Sequence, residues 1–389
     1  MYKSATGISA VLLAFSIAPA IVQAQINPTA SQIMLRTDCG ALDDCFSTMS
    51  EVTDWISTTR QPSAEAPLLV DIGSGTFGKY VCSNSGWTTL RGSGVNTTKI
   101  SASNSAISVQ NCVDLTFQNL TVISSGSGST VFWAGGGNST WSDVEVQVNG
   151  VNSQTWAWSD RCAAGTPLAV HYWFGSKIVA TSGFYNTSFN STCGDTWFYG
   201  GEITAVSGTP TAAVNNLLND TVKLSGDAIL RVFGSAIRNF SLPNNTVNFG
   251  HPMRGVDLAG NSSFHMHGGI ISMDGSNAVS GSKDVIAINA PAGTTAHVVD
   301  TAFTVKPLPG GNAIRLAGPG VKSPYQWSNS DQPPVVASQH GADMFIETDC
   351  SPGGDCEGAG TETHLMISND ACNTAGKWFN VVTGKCRGE

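Results

Sequence analysis

The stretch FQNLTV, residues 117–122, returns 24 residues later as WSDVEV, residues 141–146. WFGSKI, residues 173–178, is echoed in the same way by WFYGGEI, residues 197–203, again with 24 residues between the two tryptophans. The same shape follows at residues 232–237 (VFGSAI), 265–270 (HMHGGI) and 297–303 (HVVDTAF), with spacings that lengthen to 35, 33 and 32. Each unit reads as a short alternating strand, a tight Gly/Ser/Asn turn and a β-branched strand. One such unit cannot bury its apolar face alone, whereas stacked units can. Coils of about 22–25 residues with no helical periodicity between them predict a parallel β-helix rather than a leucine-rich or helical solenoid. Variable coil length then means loops inserted at a corner, where binding faces are often built.

The rest of the chain agrees with an exported all-β protein. Charged residues make up 12% of the 389, glycine is frequent at 43, and the formal net charge is −9, which disfavours a nucleic-acid partner. Residues 1–24 read as an export signal: one charge at Lys3, an apolar run over residues 8–22, and small residues before Gln25. No later stretch is long and apolar enough to suggest membrane insertion. Secretion, or a periplasmic location, is the expectation. The ten cysteines are then expected to pair, and sequence neighbours suggest Cys39–Cys45, Cys82–Cys112, Cys162–Cys193, Cys350–Cys356 and Cys372–Cys386. Nine N-x-S/T sequons occur, at Asn96, Asn119, Asn138, Asn186, Asn190, Asn219, Asn239, Asn244 and Asn261. In a eukaryote they would suggest glycosylation, but Asn and Thr are also simply common in β turns.

Residues 68–77 (LLVDIGSGTF) and 87–100 (WTTLRGSGVNTTKI) resemble the opening of pectin-lyase-like right-handed β-helix proteins, with their G-T-Y/F strand and L-R-G-x-G-x-x-x-T-x-I coil. Together with the repeats, the resemblance spans residues 65–320 and implies a right-handed parallel β-helix, without singling out one activity. Residues 25–64, with a helix expected from Leu42 to Ile56 capped by Asp43 or Asp44, would cap the open end of the solenoid. Residues 321–339 read as a Pro/Ser-rich linker, and 340–389 as a small disulfide-rich segment. A solenoid covered at both ends needs no partner, so a monomer is expected.

Strand alternation turns Phe264 and Met266 inward and His265 and His267 outward. Aligning the glycines places His265 over the column of Trp197, His267 over Tyr199, His171 over Asp195 and Trp173 beside Trp197. An outer strip of these residues would offer aromatic faces to sugar rings, and a carboxylate–imidazole pair for proton transfer. Unrelated residues on a solvent face are the competing reading, and a slip of one residue would reverse every side chain. Trp156 and Trp158 share a strand face and could line a subsite or form a loop mini-core. Arg254 and Asp257, three apart, could clamp a substrate carboxylate and act as nucleophile or acid/base, or make a local ion pair. The stretch around Asp257, GVDLAGN, weakly resembles the V-D-F-I-F-G-N stretch of pectin methylesterases, but is one residue short and lacks that family's other motifs. The polygalacturonase pattern is also absent.

His265 and His267 could supply two metal ligands, with Asp257 or Asp274 nearby, but no third ligand is evident and no metal site is expected. No cofactor is expected. Calcium, which β-helix enzymes on acidic sugars often use, is not indicated by the sequence, since no dense Asp loop occurs. The sequence therefore predicts a polysaccharide-active protein, a lyase or hydrolase working on a glycan that is acidic or neutral. The candidate catalytic residues are His171, Asp195, His265, His267, Arg254 and Asp257, and the candidate sugar-holding residues Trp173, Trp197, Tyr199, Trp156 and Trp158. A non-catalytic glycan-binding, adhesive or structural β-helix is the main rival, and a pectinesterase-like carbohydrate esterase the weaker one.

Overall fold

The computed structural model describes residues 26–126, 128–150, 154–161, 168–182, 185–207, 218–242, 245–248, 251–280, 284–318, 320–322, 337–338, 378–380 and 385–387. The expected export signal, most of the linker and nearly all of the C-terminal segment lie outside these residues.

The described chain is mainly β, and the strands of its long ladders pair in parallel with strands one repeat later, while 337–338 and the hairpin of 378–380 with 385–387 pair antiparallel. It visits three ladders in a fixed order. Residues 139–142, 170–174, 195–199, 229–233, 263–267 and 295–299 pair in succession in ladder 1. Residues 145–150, 177–182, 202–207, 236–240 and 270–274 follow in ladder 2, and 302–306 end it. Ladder 3 takes residues 128–134, 154–160, 185–191, 218–224, 253–257, 285–289 and 313–317. Successive rungs lie about 4.8 Å apart, so residues far apart in sequence become neighbours in columns.

The corner between ladders 1 and 2 turns on a single left-handed residue in seven successive rungs. Asn119, Asp143, Gly175, Gly200, Gly234, Gly268 and Asp300 occupy it on successive rungs, all with φ between 52° and 71°. Asn, Asp and Gly tolerate this left-handed conformation best, which is why the repeat is punctuated by these residue types. The same corner lets the single strand Ile229–Ser241 serve two ladders, as does Ser263–Asp274.

The interior is built from inward columns. Leu90, Phe117, Trp141, Trp173, Phe198, Val232, Met266 and Val298 follow one another in register, all buried. Phe117, Trp141 and Trp173 stack with centroids 4.0 and 4.6 Å apart and planes within 14°. Ladder 3 departs from strict alternation. Ala157 and Trp158, Ser188 and Phe189, Thr221 and Val222, and Ala287 and Ile288 are consecutive and fully buried, and the first of each pair has no partner in the ladder. Strand reading by period two therefore fails at this position.

At the N-terminal end, Gln32–Leu35 and Cys45–Phe46 add to ladder 1. The expected helix from Leu42 is shorter and starts later. It runs Met49–Trp55 and continues as a π-helical turn, Ile56–Arg60. Its cap is Thr48 rather than Asp43 or Asp44: the Thr48 hydroxyl accepts from Glu51 N, and the Glu51 carboxylate accepts from Thr48 N. The Cys39–Cys45 disulfide and the pairing of Cys45–Phe46 hold the preceding residues out of the helix. Met49, Val52 and Ile56 are buried in the core that includes Ile33, Leu35 and Leu68.

Cys39–Cys45 and Cys82–Cys112 are bonded as the spacing suggested. Cys193 is also in a disulfide, while Cys162, its expected partner, lies outside the described residues. The other two expected pairs lie there too. Among the described residues no helix is long and apolar enough to cross a membrane.

Candidate functional site

The outer face of ladder 1 carries most of the strip expected from sequence, with a corrected register. Asp195 pairs with Val170, Trp197 with Tyr172, and Tyr199 with Phe174. His171 and Trp173 thus fall opposite Thr196 and Phe198, and both are fully buried. The cause is one extra residue. The corner glycine follows Phe174 on one rung and Tyr199 on the next, so aligning the two tryptophans shifts the register by one. Downstream, Trp197, Arg231, His265 and His297 form one outward column, and Tyr199, Phe233, His267 and Val299 the next. Arg231, Phe233 and His297 belong to the strip although the sequence reading did not nominate them.

Most of the ring faces of this strip cover one another, although Phe174 stays exposed at the end of its stack. Phe174, Tyr199, Phe233 and His267 stack on one another, with centroids 5.3, 4.9 and 5.4 Å apart and planes within 12°. Arg231 lies over Trp197 at 4.5 Å and is ion-paired with Asp195. His265 stacks on His297 at 5.1 Å. Burial, aided by His297, Arg231 and His267, pushes the His265 imidazole down to about 4, so it is neutral at neutral pH. The expected Asp195–His171 proton-transfer pair does not exist: Asp195 faces Arg231 outside, and His171 lies inside.

His171 belongs to an interior polar chain. Trp141 Nε1 donates to Ser139 Oγ at 2.7 Å, and Ser139 Oγ lies 2.7 Å from His171 Nδ1. The Ser139 hydroxyl, with one proton and two lone pairs, accepts from the indole and still has a hydrogen bond to share with the imidazole nitrogen. Nε2 lies 3.6 Å from Asp160 Oδ2, which accepts from Ser191 Oγ. Trp133 and Trp158 pack edge-on against the imidazole at 5.0 and 4.9 Å. All these groups are buried, so the Ser–His–Asp sequence is a packing device closed to substrate.

Ladder 3 brings titratable groups together on its outer face. Asp220 pairs with Arg254 across one rung, and Lys223 with Asp257. Arg254 Nη1 lies 3.6 Å from Asp220 Oδ1 and 3.3 Å from Asp257 Oδ2, so those two oxygens are at most about 7 Å apart. Asn289, one rung on, donates from Nδ2 to Asp257 Oδ1 at 2.7 Å. Asp220 is fully buried and neither of its oxygens has a hydrogen-bond donor. Burial first, then the neighbouring Asp257, raises its carboxyl to about 7, with Arg254 and Lys223 opposing. Asp257 and Arg254 remain partly open, at 15% and 21%. Of this group the sequence reading nominated Arg254 and Asp257, and missed Asp220. The signal for Asp220 was its 34-residue spacing to Arg254, the same as from Val222 to Val256.

Trp156 and Trp158 do not share a face. Trp156 is partly exposed, and Arg161 lies over it at 5.8 Å and over Phe132 at 6.0 Å. Trp158 is fully buried, because the chain places both Ala157 and Trp158 inward. Trp156 and Asp220 fall in one column with Thr187 between them, so the aromatic group lies about 10 Å from the carboxylates along the same face. Among the described residues no three His, Cys, Asp or Glu side chains are placed to hold a metal ion. No protein-family model matches the chain, and no curated protein is significantly similar to it.

Proposed function

We propose that the chain is a secreted right-handed parallel β-helix protein of the pectin-lyase-like kind that hydrolyses a glycan on the outer face of ladder 3. The observation that carries this reading is the arrangement of Asp220 and Asp257 around Arg254, with one carboxyl raised to about 7 and the other held by Asn289. Two carboxyls of unlike protonation are what glycoside hydrolysis needs. Asp257 acts as base or nucleophile. Asp220 gives its proton to the leaving oxygen as the glycosidic carbon–oxygen bond breaks, and water supplies the new hydroxyl. Because Asp220 is enclosed, this role requires substrate entry to uncover it. Trp156, Phe132 and Arg161 would hold sugar units further along the same face. The disulfides support an oxidising destination.

Hydrolysis is favoured over β-elimination because Arg254 Nη1 already lies between the Asp257 and Asp220 side chains and is not free to neutralise a substrate's carboxylate. A purely glycan-binding strip on ladder 1 is disfavoured because its ring faces cover each other. Ester hydrolysis is the second reading. Asp257 beside an arginine, with the raised Asp220 carboxyl one rung away, also suits attack on a sugar ester, and the GVDLAGN stretch carries the resemblance noted above.

The test is incubation with neutral, acidic and methyl-esterified glycans, read for reducing ends, for ultraviolet absorbance of unsaturated products and for acid release. Reducing ends lost in Asp257→Asn support hydrolysis. Acid release alone supports the esterase reading. Unsaturated product, or no product from any glycan, overturns the proposal.

A further inference from the structure

Eight of the nine sequons fall into two structural classes. We infer that, on passage through a eukaryotic secretory pathway, the eight sequons with described side chains bear Asn-linked oligosaccharides only within the set Asn96, Asn119, Asn138 and Asn261, and none on Asn186, Asn190, Asn219 or Asn239. Asn244 lies outside the residues whose side chains are described.

The four acceptors are exposed and sit at coil corners. Asn96 and Asn119 occupy the corner between ladders 1 and 2, both in the left-handed region, with φ of 73° and 52°. Asn138 and Asn261 occupy the corner between ladders 3 and 1. Each of the latter two donates one amide hydrogen, Asn138 to Asp114 Oδ1 at 3.3 Å and Asn261 to Asp227 Oδ1 at 3.1 Å. Glycosylation replaces only one of the two amide hydrogens, so these bonds survive it.

Asn186, Asn219 and Asn239 are fully buried, and each spends both amide hydrogens inside the coil. Asn186 Nδ2 donates to Ala180 O and Val206 O at 3.1 and 2.8 Å. Asn219 Nδ2 donates to Ser207 Oγ and Asn239 Oδ1 at 2.5 and 2.8 Å. Asn239 Nδ2 donates to Asn219 O and Arg254 O at 3.3 and 3.0 Å. A sugar on any of them would break a buried hydrogen bond and would have to be enclosed by the coil, so a chain modified there cannot reach this fold. Asn190 is 9% exposed on the outer face of ladder 3, between Ser159 and Lys223. The glycans therefore stand at the two margins of ladder 1, with Asn261 beside the rung of His265 and His267, and leave the outer face of ladder 3 uncovered.

The inference rests on export, not on catalysis, so it stands or falls apart from the proposed activity. The full chain with its own leader is secreted from yeast or insect cells. Its mass is measured before and after glycosidase release in heavy-oxygen water, which labels each occupied asparagine. Among the eight described sequons, mass loss with label confined to Asn96, Asn119, Asn138 and Asn261, and loss of the Asn261 label alone in Asn261→Gln, is the expected result. Label at Asn186, Asn190, Asn219 or Asn239 in the folded protein, or secretion with no mass loss, overturns it.

Discussion

Asp220 and Arg254 stand opposite each other on adjacent rungs, yet the guanidinium nitrogen nearest Asp220 is 3.6 Å away and no donor reaches either carboxylate oxygen. Enclosure therefore outweighs the arginine and favours the protonated form of this carboxyl. Its affinity for a proton is raised from the ordinary 3.8 to about 7. The folded state binds this proton more tightly than the unfolded chain does. The resulting stability is fully present below about pH 4 and is lost as pH rises through 7, a span on the order of a few kcal/mol. Asp220→Asn, which cannot ionise, should remove this fall in melting temperature between pH 4 and 8, leaving the opposite rise contributed by His265, while removing hydrolysis. An unchanged slope in that window would show that Asp220 is ionised in the fold.

The ladder-1 strip makes a separate forecast about stability. Tyr199 contacts Phe174 at 5.3 Å, Phe233 at 4.9 Å and Trp197 at 6.4 Å, whereas Phe174 stands at the end of its stack and has only Tyr199. Aromatic pairs contribute about 0.5–1.5 kcal/mol each beyond their area. Tyr199→Ala should cost roughly 2–4 kcal/mol and Phe174→Ala about half as much, with the double variant less than additive. Neither should change the Michaelis constant for a glycan. Urea denaturation of the three variants reads the first claim. A raised Michaelis constant in Tyr199→Ala would return the strip to a binding role.

Disulfide removal should rank by loop length. Cys82–Cys112 closes a sequence separation of 30 between neighbouring rungs of ladder 3, and Cys39–Cys45 one of only 6 in the N-terminal cap. Chain-entropy reasoning gives about 3–4 kcal/mol for the first and about 2 for the second. Paired Cys→Ala variants compared by chemical denaturation check the order. A larger loss from Cys39–Cys45 would point to the cap, rather than loop closure, as the limiting element.

The repeat was legible because the left-handed corner residue between ladders 1 and 2 demands Asn, Asp or Gly, and those residues mark seven successive rungs at Asn119, Asp143, Gly175, Gly200, Gly234, Gly268 and Asp300. Where the rung carried no insertion before that corner, register followed, as for Phe117 and Trp141. Where Tyr199 added one residue, matching tryptophan to tryptophan placed His171 and Trp173 outside. Ladder 3 was least legible. Its paired inward positions, such as Ala157 and Trp158, break the period of two on which strand reading rests. Asp220 was hidden for a related reason: it lies next to the unpaired inward Thr221, in a stretch that reads as a polar turn.

His171 gives the sharpest contrast between a chemical and a packing role. Its Nδ1 is 2.7 Å from Ser139 Oγ, which in turn accepts from Trp141 Nε1. Ser139→Ala removes both contacts at once and leaves two buried polar atoms unpaired, which should cost about 2–4 kcal/mol. Replacing the donor as well, in Ser139→Ala with Trp141→Phe, removes one orphan, so the double variant should cost less than the sum of its parts by about 1 kcal/mol. Since His171 has no exposed surface, the folded fraction of His171→Gln should keep wild-type turnover on any glycan that the protein cleaves. Circular dichroism melts paired with turnover per folded molecule separate the two roles. A stable His171→Gln protein with lost turnover would mean that the interior of the coil opens to substrate.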